Sequence, residues 1–190
     1  METQKADRRV KYTKALLKES LVRLMQTKPI SKISVKMLCE DADINRSTFY
    51  AHFSNQQDLL RWVEQGVISD VNQYLSDHPM SGQSEETILI MKQILDYTAK
   101  NADLFQVLLS DHGDTEFQRD LMSIAQKQLI SNLRNDRSLD ERTSAYLQAF
   151  CIAGALTILQ KWLRDGMVES SQEMAELIST LLSEGVSSYL

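Results

Sequence analysis

The chain has little of what breaks, staples or anchors a fold. Two prolines and six glycines in 190 residues leave few places where a helix must stop, and a 43% hydrophobic share is ample for a packed core. That composition points to a mostly helical chain. The two cysteines, Cys39 and Cys151, each lie among apolar neighbours with no second Cys or His at ligand spacing. Buried, reduced thiols are therefore expected at both, rather than a disulfide framework or a zinc site. No apolar run follows a basic start, and none is long enough to span a bilayer, so a cytoplasmic chain without signal peptide or membrane contact is expected. Histidine is scarce too, at 52, 78 and 112, with no nucleophile motif, glycine-rich phosphate loop or paired apolar carboxylates. An enzyme is therefore not expected, nor a cofactor or metal; Asp111-His112-Gly113-Asp114 reads as a solvated turn.

What is there is unevenly charged. The net charge is -5, yet residues 1–61 hold twelve Lys and Arg against seven Asp and Glu, and residues 62–190 hold nine against nineteen. A basic front on an acidic body suits a nucleic-acid reader with a separate regulatory half.

The basic part contains the most informative stretch, Ile30–Leu60. Ser34 can cap a short helix over 35–40, with Ile33 and Leu38 as a hydrophobic staple across its start. Asp41-Ala42-Asp43 makes a turn, and Asn45 can cap a second helix through Ala51. Together they form a helix-turn-helix. On the second helix Phe49 faces inward and Phe53 continues the apolar face just past its end, which leaves Arg46, Ser47, Thr48, Tyr50 and His52 to face out or sideways. A guanidinium, two hydroxyls, a phenol and an imidazole suit base edges and phosphates better than they suit a merely solvated face, which more often carries Glu and Lys.

The run Ile44-Asn45-Arg46-Ser47-Thr48-Phe49-Tyr50-Ala51-His52-Phe53-Ser54-Asn55 resembles the recognition-helix pattern of the TetR family of bacterial transcriptional regulators. The likeness covers about residues 10–60, and beyond that it is one of helical layout. Two departures stand out: Asp43 replaces the usual turn Gly, and Gln56 replaces the usual Lys at the start of the fourth helix. Asp tolerates left-handed backbone better than most residues, whereas Gln56 weakens one phosphate contact to a neutral one.

Taken in order, Met1–Asp7 reads as unstructured, and a first helix follows to about Thr27, with Arg8, Arg9, Lys11 and Lys14 at its start and Leu17, Leu21, Leu24 and Met25 on one stripe. Lys28-Pro29 ends it. Ser54 with Gln57 forms a capping box for a fourth helix over 55–77, which carries Leu59, Leu60, Val63, Val67, Val71 and Leu75 and connects a DNA-binding domain, 8–54, to a regulatory and dimerisation domain, 55–190. His78-Pro79-Met80-Ser81-Gly82 is the clearest break. Helices are expected over 85–100, 102–110, 115–135, 140–164 and 171–188, giving an all-α chain of about nine helices with no strand.

The last two helices are the expected dimer interface. The helix over 140–164 is apolar almost all round, Ala153-Gly154-Ala155 permits close approach, and the final helix offers a second stripe, Met174, Leu177, Ile178, Leu181, Leu182 and Val186. Phe150, Gly154, Ile158, Leu177 and Leu181 are the candidate contacts of an isologous four-helix pairing, which the resemblance also implies. Burial of both helices within one subunit is the alternative. Met91, Tyr97, Phe105, Phe117, Met122 and Trp162 are candidates for an adaptable apolar effector pocket, and core packing explains the same residues. The expected function is a sequence-specific transcriptional regulator, a homodimer on a pseudo-palindromic duplex operator, acting as a repressor released by a small molecule of unknown identity. Arg46, Ser47 and Thr48 are assigned to bases, Tyr50 and His52 to phosphates, Lys11, Ser34 and Lys36 to the backbone, with Asn45 and Gln56 flanking them. The alternatives are an activator of the same layout, or a co-regulator that works through a protein partner with weakened DNA binding.

Overall fold

The computed structural model describes the backbone of residues 2–77, 84–110, 113–133 and 141–183. Among these residues there are nine α-helices and no strand: α1 Glu2–Met25, α2 Val35–Asp41, α3 Arg46–Tyr50, α4 Gln56–Asp77, α5 Ser84–Lys100, α6 Ala102–Leu108, α7 Thr115–Leu133, α8 Glu141–Arg164 and α9 Ser171–Ser183. A single 3-10 turn, Ile30–Lys32, follows Pro29. The break expected at 78–82, Asp111, His112, Val186 and the outer ends expected for α7, α8 and α9 lie outside the described residues.

Two compact units divide the chain: residues to Val67 together with Val107–Asp114, and Ile68–Gln106 together with Thr115 onward. The boundary between the two units falls inside α4.

In the first unit α1 buries Leu17, Leu21 and Met25, and Leu38, Phe49, Phe53, Leu59 and Leu60 are buried there too. These positions recur at the helical period along α1, so burying one stripe fixes its rotation. Residues 2–7 differ from expectation: they are helical and continue α1. The reason is local, because Glu, Gln, Lys and Ala are good helix formers that extend a helix already nucleated by its packed part.

In the second unit α5 lies along α9 and α7 along α8. The core between them gathers Leu95, Trp162, Met174, Ala175 and Ile178, with Met91, Ile158, Leu159 and Leu177 packed against it. Trp162 also donates its indole N–H to the Glu169 carbonyl at 2.9 Å, which satisfies the one polar atom of a buried ring. α8 ends in a Schellman motif: Gly166 has φ +84, Met167 has φ +55, and the Met167 N–H reaches the Trp162 carbonyl at 2.9 Å. Gln106 Nε2 donates to the Leu163 carbonyl at 2.7 Å and satisfies another of that helix's terminal acceptors.

Candidate nucleic-acid interface

The site is built on α2, the turn after it and α3. Ser34 caps α2 as its sequence predicts, its hydroxyl accepting from the Met37 N–H at 3.2 Å, and Ile33 and Leu38 are both buried at the staple positions. α2 ends in a second Schellman motif, with the Ile44 N–H on the Cys39 carbonyl at 2.9 Å and Asp43 at φ +51. Asp43 thus occupies the left-handed position its sequence context requires. Asn45 then caps α3, its Oδ1 accepting from the Ser47 N–H at 3.1 Å and from the Ser47 hydroxyl at 3.2 Å.

That start directs the side chains of α3. Phe49 is fully buried, while Arg46, Ser47 and Tyr50 are exposed and Thr48 and His52 half-buried. Tyr50 keeps 59% of its surface in solvent, far more than a packing role for a phenol needs. Lys11, Ser34 and Lys36 are also exposed, and Gln56 is half-buried at the first position of α4. Lys36 pairs with Glu40 at 3.6 Å, but both side chains are solvated, so the pair holds the lysine weakly.

Behind this surface two contacts fix α1 to α2. The buried Ser20 hydroxyl donates to the Leu38 carbonyl at 3.2 Å, and Arg23 donates from Nε and Nη2 to Asp41 Oδ2 at 3.2 and 2.7 Å. The Arg23 hydrogen bond holds the Asp41 carboxyl below the ordinary aspartate range. Sequence periodicity misses both contacts, since each joins residues eighteen apart and neither leaves a local pattern. The cap of α4 is corrected by one position. Asn55 Oδ1 accepts from the Asp58 N–H and the Asp58 carboxylate accepts from the Ser54 N–H, each at 2.9 Å, in place of the expected Ser54 and Gln57 pair. Asp is too short to be the usual box partner, yet one residue later it reaches the N–H before the cap.

Burial pushes the Cys39 and Cys151 thiols up, and neither is in a disulfide. Among the described residues no group of His, Cys, Asp and Glu is arranged to hold a metal ion.

Of the six candidate pocket residues, two share one core and two share a ring contact. Trp162 of α8 belongs to the core it shares with α5 and α9, Met91 packs against that core, Phe117 is buried, and Met122 stands at the surface of α7. Tyr97 and Phe105 do meet, edge to face at 5.7 Å, and Tyr74 lies 5.7 Å from Tyr97. Tyr97 donates its hydroxyl to Asp70 Oδ2 at 2.6 Å. Burial first, and then that carboxylate, push the phenol well above its ordinary range, so it stays a donor. One turn before Tyr97, the Gln93 Oε1 is buried with no hydrogen-bond partner among the described residues. Asp70, Tyr74 and Gln93 escaped the sequence reading because polar residues on a helix usually face solvent.

Of the five candidate dimer residues, Phe150 is 70% exposed and a Cβ added at Gly154 would meet nothing within 4 Å among the described residues. Ile158 and Leu177 pack partly against the core of the second unit, and Leu181 is half-buried. Tyr146 and Leu147 join Phe150 as exposed apolar residues of α8.

Comparison with known proteins places this geometry. Residues 19–63 match the family described as bacterial regulatory proteins, tetR family, and residues 85–184 match the C-terminal region of transcriptional regulators of that family. The HTH-type dhaKLM operon transcriptional activator DhaS of Lactococcus lactis is 29% identical over 82 residues, a match that spans 43% of this chain and 43% of that protein. Among solved structures, a TetR transcriptional regulator from Streptococcus agalactiae superposes with a TM-score of 0.64 at 21% identity, over 95% of this chain and 98% of that one. The Bacillus subtilis regulator FadR, solved with stearoyl-CoA, gives 0.67 at 14% identity over 90% and 98%. With both its capped reader and its C-terminal helices matched, the chain belongs to the TetR family of bacterial transcriptional regulators.

Proposed function

We propose that the chain is a sequence-specific DNA-binding regulator that works as a homodimer on a pseudo-palindromic operator and is released by a small molecule, acting as a repressor. The observation that carries the reading is the α3 surface, where Arg46, Ser47 and Tyr50 stand in solvent above a fully buried Phe49, in the basic part of the chain. Arg46 can donate two hydrogen bonds to a guanine edge, Ser47 and Thr48 can reach bases or thymine methyls, and Tyr50 and His52 can hold phosphates. Lys11, Ser34 and Lys36 add backbone contacts. Asn45 acts through its cap, which aims the first turn of α3.

Pairing rests on α8. Tyr146, Leu147 and Phe150 form an exposed apolar face beside open space at Gly154, a surface a lone soluble subunit rarely keeps. Phe150 and Gly154 are its centre, with Ile158, Leu177 and Leu181 at its border. A two-fold pairing there sets the separation of two readers.

For the effector, Tyr97 and Phe105 with Tyr74, Asp70 and the Gln93 oxygen offer aromatic surface and acceptor oxygens beside α5, with the Tyr97 proton held by Asp70. Met91, Phe117, Met122 and Trp162 would shape its apolar surroundings. A ligand shifts the DNA-binding equilibrium only by its differential affinity for the two arrangements. A second reading, activation, is favoured by one observation: the Lactococcus lactis relative is named an activator.

A mobility shift with duplex from the DNA upstream of the chain's own gene tests the binding, and reporter expression with and without the gene gives the sign. A retained duplex with raised expression on deletion fits repression. Lowered expression selects the activator, and no retention at any concentration overturns the DNA-binding reading.

A further inference from the structure

Four cations, Arg8, Arg9, Lys11 and Lys14, open the packed part of α1, and Lys14 differs from the other three. Arg8, Arg9 and Lys11 are exposed, while Lys14 is half-buried with its ammonium 5.6 Å from the ring centre of Phe53 and 5.2 Å from that of Trp62. Those rings belong to a chain of contacts. Trp62 lies 5.6 Å from Phe53, Phe53 lies 5.9 Å from Phe49, and Phe49 meets Tyr50 edge to face at 5.6 Å. One end of the chain is the exposed phenol of the reader helix, and the other is α4 with Lys14 upon it.

A cation is drawn to the electron-rich face of an indole or phenyl ring, and the attraction grows as the group leaves solvent. An ammonium shared by two tilted rings is held in place and resists being swung out to a phosphate. We propose that Lys14 is a positioning residue, resting on the DNA-binding reading above: it ties α1 to the junction of α3 and α4 through Phe53 and Trp62, and so sets the seat of Phe49 from which Arg46 and Tyr50 project. Its charge acts inside the protein, whereas that of Lys11 acts on the duplex.

The two roles differ in what salt does. A lysine on a phosphate releases counterions, so removing it flattens the plot of log affinity against log salt by about one and weakens all duplexes alike. A lysine that seats the reader leaves that slope unchanged and weakens the specific duplex alone. The test uses Lys14→Met, which keeps the stem on the rings without the charge, and Lys14→Arg, which restores a cation. With 5-fluorotryptophan in the full chain, the Trp62 and Trp162 resonances report separately, and Trp162→Phe assigns them.

The expected result is that Lys14→Met moves the Trp62 resonance and not that of Trp162, and that Lys14→Arg moves it back. The same variant binds the upstream duplex about three- to thirty-fold more weakly, with the salt slope and the affinity for random duplex unchanged. An unmoved Trp62 resonance, or equal loss on both duplexes with a flatter slope, overturns the proposal. The resonance is read without DNA, so failure of the unmodified chain to bind any duplex counts against the proposed function, while the clamp is judged on the fluorine shift.

Discussion

Arg46 stands first in α3 with its guanidinium in solvent, directly after the Asn45 cap. That placement separates it from the lysines, because a planar fork matches a guanine edge while an ammonium neutralises a phosphate. Arg46→Ala is expected to cost about 1–3 kcal/mol on the preferred duplex and to relax sequence choice. Lys11→Ala is expected to weaken all duplexes alike and to flatten the salt slope by about one. Anisotropy titrations on preferred and scrambled duplexes at several salt concentrations check both, and an unchanged preference in the Arg46 variant removes that residue from base reading. Asp43 gives a stability test at the same scale. Its φ of +51 is tolerable for Asp and poor for a β-branched residue, so Asp43→Val should cost about 1–2 kcal/mol in urea unfolding, while Asp43→Gly should hold stability or raise it. A valine variant as stable as the parent chain contradicts the role given to that turn.

Helices were legible in the sequence where one stripe or one cap decided them. Ser34 and Asn45 stand at the starts they imply, and Leu17, Leu21 and Met25 are the buried face of α1. Illegible were contacts joining distant residues without a local pattern: Ser20 on Leu38, Arg23 on Asp41, Lys14 on two rings, Tyr97 on Asp70. Of the six apolar pocket candidates, Tyr97 meets Phe105 and Met91 packs against the core that holds Trp162, and periodicity alone cannot tell which neighbour each one joins. The Arg23 pair between α1 and α2 has a pH signature. Because the Asp41 carboxyl is depressed in the folded chain, its stabilisation is present above the ordinary aspartate value of about 3.9 and is lost as pH falls through the lowered one. Asp41→Asn should therefore be less stable than the parent near neutrality and converge with it in acid, by a small margin since the pair is partly solvated. A gap that stays constant with pH would assign the loss to something other than the ion pair.

At the scale of the whole molecule the chain joins a basic reader to an acidic remainder, and a small reader alone has too few contacts for a tight specific site. Two copies supply twice the contacts, and the exposed face of α8 is the proposed means of joining them. Phe150→Asp should give a lone subunit in sedimentation and lose most of the operator affinity, with helical content retained. A dimer that survives this change places the interface elsewhere. If a dimer presents α3 twice at a fixed separation, footprinting on the upstream duplex will show it. Two protected half-sites of opposite sense are expected, centred about 10 base pairs or a multiple of that apart, both lost together in Arg46→Ala. A single one-sided protection, or two whose spacing varies freely, would contradict it.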